Sequence, residues 1–413
     1  MTDRSQLSSF GEALAADSSL PFYLLAHLEK ASEATDSSAG NQPYTCLSVS
    51  ENKLMWDLLS EKVNTNRDVP MSAMGYGPKP GSPEFRTAIS DFGSEFVWGV
   101  NVPADEIVSI AGAGAAVEAI AATLCEPGEA ILIPTPTYAV YWVDIESRFG
   151  VKAVGAPMAV DDDFLLSVEH LEAAYAASAY PVKVLLLTTP SNPLGRITEP
   201  ERIKKAVAWA RSKNLHVIIN ELYALSTFGP TEWASAALYL DRLADDVHLM
   251  WGFSKDFSVS GLRAGVVHSK NPDVLAALAH HAIFSAVSGD TQHLLTNMLT
   301  DRSWSDRYLA SMRSRLSDAR AGVESALSAH GLRAVDGDAA LFLVADLRPL
   351  LIGNSWEGER NLWQQMLDHE NVNITPGSSC RMPEPGFMRI CFATAPTPVV
   401  VDAVDRALTS AAR

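Results

Sequence analysis

At 413 residues and 44.5 kDa the chain has room for two or three structural units, each with a sizeable core. Its 47% hydrophobic and 20% charged residues rule out wholesale disorder and a fibrous fold. A formal net charge of −17 repels phosphate backbones and anionic lipids, which argues against nucleic-acid and membrane partners but leaves room for a local pocket binding a small anion.

The four cysteines, Cys46, Cys125, Cys380 and Cys391, stand singly, so neither a zinc ribbon nor a disulfide scaffold is expected. Asp3, Arg4, Glu12 and Asp17 interrupt the first thirty residues, and no apolar run approaches the ~18 residues of a membrane span. The expectation is a soluble, cytoplasmic protein. His280 and His281 are adjacent, so on a helix they point to different faces, and no metal site is expected.

In chain order, helical pieces within residues 1–65 are joined by a polar segment at 31–43. Short apolar runs bounded by turn residues then read as buried strands at 106–110, 130–133, 151–154, 184–188, 216–219, 248–251 and 264–267. Helical stretches at 115–124, 200–213 and 272–284 lie between them, the second with Ile203, Val207 and Ala210 at helical spacing. This alternation predicts an α/β fold with a mainly parallel sheet between helices. From residue 301 the pattern changes to a long helix over 301–330, strands at 341–344 and 388–392, and helices at 356–370 and from Thr397. The expected organisation is an N-terminal arm contributing to a small domain over 1–65, a large domain over 66–300, and a smaller α+β domain over 301–413.

The sharpest chemical signal is Phe253-Ser254-Lys255-Asp256 after a strand, followed eight residues beyond the lysine by Arg263 in Gly261-Leu262-Arg263-Ala264-Gly265. An amine beside a small hydroxyl and a guanidinium suits an aldehyde-phosphate cofactor: the amine condenses with the aldehyde and later moves a proton, while Ser254 and Arg263 donate to the phosphate. Four further motifs sit at the carboxyl ends of expected strands, where open α/β sheets bind ligands. Ala111-Gly112-Ala113-Gly114-Ala115-Ala116 lets backbone N–H groups approach a phosphate at a helix start. Pro134-Thr135-Pro136-Thr137-Tyr138 holds an aromatic ring that can stack, Thr189-Pro190-Ser191-Asn192-Pro193-Leu194-Gly195 presents an amide, and Asn220-Glu221-Leu222-Tyr223 closes another strand. Singly, each motif reads as surface or core packing.

Together and in this order the motifs resemble the pyridoxal-phosphate enzymes of the class I/II aminotransferase family, of fold type I, over roughly residues 45 to 410. Within it the chain is most similar to the 1-aminocyclopropane-1-carboxylate synthase branch, through Leu47-Ser48-Val49-Ser50-Glu51-Asn52-Lys53, Gly81-Ser82-Pro83-Glu84-Phe85-Arg86 and Met388-Arg389-Ile390-Cys391-Phe392-Ala393. The resemblance implies pyridoxal 5'-phosphate as cofactor, linked to Lys255. It implies that Ala113, Gly114, Ala115, Ser254 and Arg263 hold the phosphate, that Tyr138 stacks on the ring, that Asn192 and Tyr223 bond the ring oxygen, and that Arg389 clamps the substrate carboxylate. It also implies a homodimer with shared active sites, Tyr76 reaching the neighbouring subunit's phosphate, and Glu51 lying near the substrate's amino-acid portion or sulfonium. Glu51 can equally cap or solvate a helix start.

One position departs from the family. Where an aspartate normally pairs with the ring nitrogen, this chain has Asn220. A neutral amide cannot stabilise a pyridinium by charge, although it can donate to an unprotonated nitrogen. The ring is then a weaker electron sink, which can reflect tuning, an altered site or a degenerate member; tuning towards β- and γ-carbon chemistry is the favoured reading.

The expected activity is therefore α-deprotonation of S-adenosylmethionine with loss of methylthioadenosine from the γ-carbon. The product is a cyclopropane amino acid or, through a vinylglycine-type species captured by a second small-molecule substrate, a γ-substituted or annulated product suited to specialised metabolism. The alternative is an aminotransferase exchanging an amino group with a 2-oxo acid. A carbon–sulfur lyase is a third reading, and a cofactor-sensing regulator is disfavoured by the absence of a basic DNA-binding segment. Tyr44, Tyr141, Phe284 and Arg381 are candidates for choosing the substrate, each equally readable as packing or surface.

Overall fold

In the computed structural model, which describes residues 7–16, 20–33, 43–65, 68–240 and 244–411, all seven apolar runs enter one sheet. In chain order the strands are β1 (Thr45–Cys46), β2 (Ile107–Ile110), β3 (Ala130–Thr135), β4 (Lys152–Pro157), β5 (Val182–Thr188), β6 (His216–Asn220), β7 (Val247–Gly252), β8 (Gly265–Ser269), β9 (Arg333–Ala334), β10 (Phe342–Asp346), β11 (Val372–Asn373) and β12 (Phe387–Cys391). The large sheet has the order β2-β8-β7-β6-β5-β3-β4. Its pairings from β4 through β7 are parallel, and β8 runs antiparallel to both β7 and β2. Residues 263–265 at the start of β8 therefore arrive at the same edge of the sheet where β2, β5, β6 and β7 end.

The central strands are largely apolar because each face supports its own core. Val184 and Leu186 of β5 join Ile218 and Met250 in one cluster, whereas Leu185 and Leu187 join Val217, Ile219, Leu249 and Trp251 in the other. At about 1.5–3 kcal/mol per buried aliphatic side chain, this two-sided burial offsets the entropy of ordering the strands. The helix Ala113–Leu124 covers one face through Val117 and Ile120, and Pro200–Ser212 covers the other through Ile203, Val207 and Ala210.

Past residue 300 a 28-residue helix, Arg302–Ala329, starts at Asp301, whose carboxylate accepts from the Trp304 N–H at 3.1 Å. A second sheet follows, of order β12-β10-β9 and antiparallel, with the helices Trp356–Glu370 and Thr397–Ala411. β1 pairs with β11 in parallel, Thr45 opposite Val372, so residues 45–52 run from this C-terminal region towards the large sheet. Residues 34–42 of the polar segment expected at 31–43 lie outside the described residues. Among the described residues no helix is long and apolar enough to cross a membrane.

Away from the ligand-binding edge, His216 Nδ1 lies 3.1 Å from His248 Nε2, and His248 Nδ1 lies 2.9 Å from Ser269 Oγ. Burial and the neighbouring His216 push His248 down to about 3, against 6.5 for an ordinary imidazole. Between those values the unfolded chain binds the proton that the folded chain refuses, so stability falls as pH drops from 6.5 towards 3, with a slope of up to ~1.4 kcal/mol per pH unit from this group. Urea denaturation at neutral and mildly acidic pH should give a shallower pH dependence for His248→Gln than for the native protein. Equal slopes would remove His248 as the cause.

Candidate active site

Lys255 stands in the short helix Phe253–Asp256 directly after β7, where the chain reverses before β8. Asp256 pins this turn from below: it accepts from Trp251 Nε1 at 2.9 Å, Ser226 Oγ at 2.7 Å and the Leu225 N–H at 3.1 Å. The lysine is thereby fixed against the loop that follows Tyr223. Its Nζ donates to the carbonyl of Ser50, a residue brought in by the N-terminal segment. Burial, reinforced by Arg389 and Arg263 and opposed by Cys391 and Glu51, lowers the amine to about 8 from 10.5. A substantial neutral fraction near pH 8 is what condensation with an aldehyde and proton abstraction both need.

A cavity of about 190 Å³ surrounds this amine and is lined by Ala113, Gly114, Tyr138, Asn192, Asn220, Tyr223, Ser254, Lys255 and Arg263, together with Ser50, Asp144, Tyr141, Thr188, Leu222 and Ser260. Nine of the residues expected to meet the cofactor, and the substrate-choosing candidate Tyr141, are thus brought to one cavity. Ala115 lies one residue beyond Gly114 in the first turn of the same helix.

At one end of the cavity the helix Ala113–Leu124 begins after Gly112, whose φ of 97° is a left-handed conformation. A Cβ there would lie 2.5 Å from Arg263 Nη2, so only glycine lets the guanidinium reach the helix N-terminus. Arg263 itself has φ 51° and donates through Nη1 to the Ser260 carbonyl at 3.2 Å. Helix N–H groups, the Ser254 hydroxyl and a guanidinium form an anion cradle. Asp144 faces the same wall, but burial lifts it to about 7, Glu118 adding to the rise and Arg263 opposing it, so near neutrality it only partly cancels the positive field.

Behind Asn192, which lines the cavity, Arg389 of β12 is buried. Nη1 donates to Asn192 Oδ1 at 2.9 Å, and Nη2 donates to Thr375 Oγ1 at 2.9 Å and to the Ser48 carbonyl. These acceptors are neutral, and Nε is buried without a partner. A buried guanidinium held by neutral oxygens is poised for an anion, here a carboxylate entering beside Asn192. Asn192 Nδ2 donates to Tyr223 Oη at 3.3 Å, and that hydroxyl lies 3.5 Å from Ser50 Oγ, so the three side chains and Arg389 form one network. Among the described residues no cluster of three or more His, Cys, Asp or Glu is arranged to hold a metal ion.

Besides Arg389, two expected residues stand apart from the cavity. Glu51 lines an adjoining cleft with Asn52, Lys53, Trp56, Leu59, Ser258, Ser260 and Gly261, in which Ser260 borders both spaces. Tyr76 is fully exposed on a different cleft formed by residues around 70–84 and 282–296. Of the substrate-choosing candidates, Tyr44 bonds His27 and Asn373, Arg381 lies 3.6 Å over the Trp142 ring, Phe284 projects from the surface, and Tyr141 is buried against Asn220. Sequence reasoning passed over Ser48, Ser50 and Thr375. Their oxygens serve Lys255 and Arg389 across separations the chain order hides.

The residues present fit a pyridoxal phosphate: an anion cradle, a depressed lysine and polar side chains line one cavity, and a buried guanidinium with one unpartnered N–H lies directly behind Asn192. Comparison with known proteins agrees. The family model "Aminotransferase class I and II" matches residues 44–406. The chain is 34% identical to 1-aminocyclopropane-1-carboxylate synthase 6 of Arabidopsis thaliana over 87% of its length and 76% of that protein. It is 33% identical to 1-aminocyclopropane-1-carboxylate synthase of Malus domestica, over 85% of this chain and 79% of that one. Among solved structures, a Thermus thermophilus aspartate aminotransferase double mutant superimposes with a TM-score of 0.80 at 18% identity, covering 98% of this chain and 100% of that one. The latter likeness speaks for the fold alone. The chain belongs to the aminotransferase class I and II family and is a pyridoxal-phosphate-dependent enzyme.

Proposed function

We propose that this member of the aminotransferase class I and II family acts on S-adenosylmethionine, removing its α-proton and expelling methylthioadenosine from its γ-carbon. In this reading Ala113, Gly114, Ala115, Ser254 and Arg263 hold the cofactor phosphate, Tyr138 stacks on the ring, Asn192 and Tyr223 bond the ring oxygen, and Asn220 meets the ring nitrogen. The bound cofactor supplies an electron-withdrawing system conjugated to the substrate's α-carbon. Arg389 anchors the α-carboxylate, and Lys255 takes the α-proton as general base. The electron pair left at Cα forms the Cα–Cγ bond while the Cγ–S pair leaves with sulfur, giving a cyclopropane amino acid and neutral methylthioadenosine. If a β-proton is lost as well, methylthioadenosine leaves from Cγ with the C–S pair without ring closure, and a second small molecule can add at Cγ, giving a γ-substituted or annulated product. The catalytic unit is a homodimer, with Tyr76 extending towards the neighbouring site.

One observation carries the choice of substrate. Lys255 donates to Ser50, and the next residue, Glu51, lines a cleft of about 440 Å³ that adjoins the cofactor cavity at Ser260. A substrate whose amino-acid end is held by Lys255 and Arg389 would extend its far end towards a carboxylate and the exposed Trp56 indole. A sulfonium bearing a flat heteroaromatic group matches both. The Glu51–Lys53 pair that occupies the cleft is 3.5 Å apart and solvent-exposed, so opening it costs at most about 1 kcal/mol.

Purified holoenzyme incubated with S-adenosylmethionine should release methylthioadenosine, followed by mass spectrometry. Release with the cyclopropane amino acid supports direct closure, and release with 2-oxobutyrate, or only with an added nucleophile, supports capture. No release, with pyridoxamine phosphate formed from common amino acids, would overturn this reading in favour of an aminotransferase.

A further inference from the structure

Asn220 ends β6 with its amide oriented by a neighbour of fixed polarity. The Leu222 backbone N–H, which can only donate, meets Oδ1 at 3.1 Å. Nδ2, which has no lone pair to offer, therefore faces the cavity and donates to Tyr141 Oη at 2.8 Å. Tyr141 Oη, having accepted that N–H, can pass its own proton to Thr188 Oγ1, which lies 2.8 Å away. Burial pushes the Tyr141 phenol up, so it keeps that proton at every relevant pH. A flipped amide would set NH2 against the Leu222 N–H and leave buried donors unpaired, at a cost of about 1–3 kcal/mol.

With Oδ1 engaged by the Leu222 N–H, Asn220 turns its donor side towards whatever occupies the cavity beside it. A pyridine nitrogen can accept that N–H only when it carries no proton. A pyridinium would bring a second donor to the same contact.

We propose that Tyr141 is a positioning residue that, with the Leu222 N–H, locks Asn220 as a donor, so that the cofactor's ring nitrogen is held unprotonated through neutral pH. The inference rests on the ring placement given above and extends it. It accounts for the departure at position 220: the Leu222 N–H fixes which side of the amide donates, and Tyr141, with Thr188 beside it, accepts from that side. A ring so held withdraws electrons weakly, which disfavours returning a proton to the cofactor and so disfavours transamination.

The test is magnetic resonance of the holoenzyme loaded with cofactor isotopically labelled at the ring nitrogen, read across neutral pH. The native protein should give the signal of a hydrogen-bonded, unprotonated pyridine that does not move with pH. Asn220→Asp should shift it to the pyridinium position, since a carboxylate there can accept from both Tyr141 and the ring. Tyr141→Phe, which frees the amide, should give a signal that drifts towards pyridinium as pH falls. A merely structural Tyr141 would lower the melting temperature and leave the signal at its native position, which would overturn its assigned role. A pyridinium signal in the native protein, still responsive to residue 220, would overturn the inference alone. A signal indifferent to both substitutions would overturn the ring placement as well, whatever the enzyme does with S-adenosylmethionine.

Discussion

Lys255→Ala should retain the fold, lose covalent attachment of the cofactor and lose turnover by about four orders of magnitude or more. Proton transfer by a positioned side chain contributes about 10²–10⁴-fold, and loss of the covalent link adds to it. Borohydride treatment followed by mass measurement should find cofactor mass on the native chain and none on the variant. The same amine predicts a pH dependence with a definite sign. Because burial lowers Lys255 to about 8 from 10.5, the neutral, nucleophilic form grows as pH rises and is nearly complete above that value. The rate at which the cofactor-free protein takes up pyridoxal phosphate should rise with pH, about tenfold per unit well below 8, and level off beyond it. A rate still climbing tenfold per unit at pH 9.5 would mean that the lysine keeps its ordinary value near 10.5, and that the cavity does not desolvate it.

The motifs were legible because each combines residue types that chemistry rarely needs together, and each follows a strand that apolar runs had already located. The strand limits were less so. β5 begins at Val182, two residues before the apolar run at 184–188, because Lys183 is exposed in it. β4 continues to Pro157 through Gly155 and Ala156, an edge strand with little hydrophobic signal. Nothing in residues 264–267 announced that β8 runs antiparallel, yet that reversal brings Arg263 to the helix start at Gly112. Partners supplied by distant backbone were hidden altogether: the Ser48 carbonyl meets Arg389 across 341 positions, and the Ser50 carbonyl meets Lys255 across 205. Tyr141 stood among candidates for choosing the substrate, whereas it bonds Asn220 from inside the cavity wall. Its spacing of three residues from Tyr138 was the available signal. Tyr138 and Tyr141 are joined by a turn, the Tyr141 N–H donating to the Tyr138 carbonyl at 3.3 Å, and their rings meet edge to face at 5.2 Å.

Arg389→Lys should lower kcat/KM for a carboxylate-bearing substrate by about 10²–10³-fold, chiefly through KM. Nη1 and Nη2 are tied to Asn192, Thr375 and Ser48, and Nε is buried with no partner, so the planar fork is already oriented before substrate arrives. A lysine ammonium keeps the charge but cannot serve these three oxygens and a carboxylate at once. Charge-assisted hydrogen bonds contribute about 1.5–3 kcal/mol each, and loss of a bidentate pair therefore predicts roughly 3–4 kcal/mol. The substitution also disturbs Asn192 and, through it, Tyr223, so a loss of activity by itself would not separate carboxylate binding from a collapsed network. An amine substrate lacking the α-carboxylate makes the separation. If Arg389 clamps the carboxylate, that substrate should be turned over by native and variant enzyme within a few-fold of each other, both slowly. If the variant loses a hundredfold on it as well, Arg389 acts by holding Asn192 and Tyr223 in place, and the carboxylate is bound elsewhere.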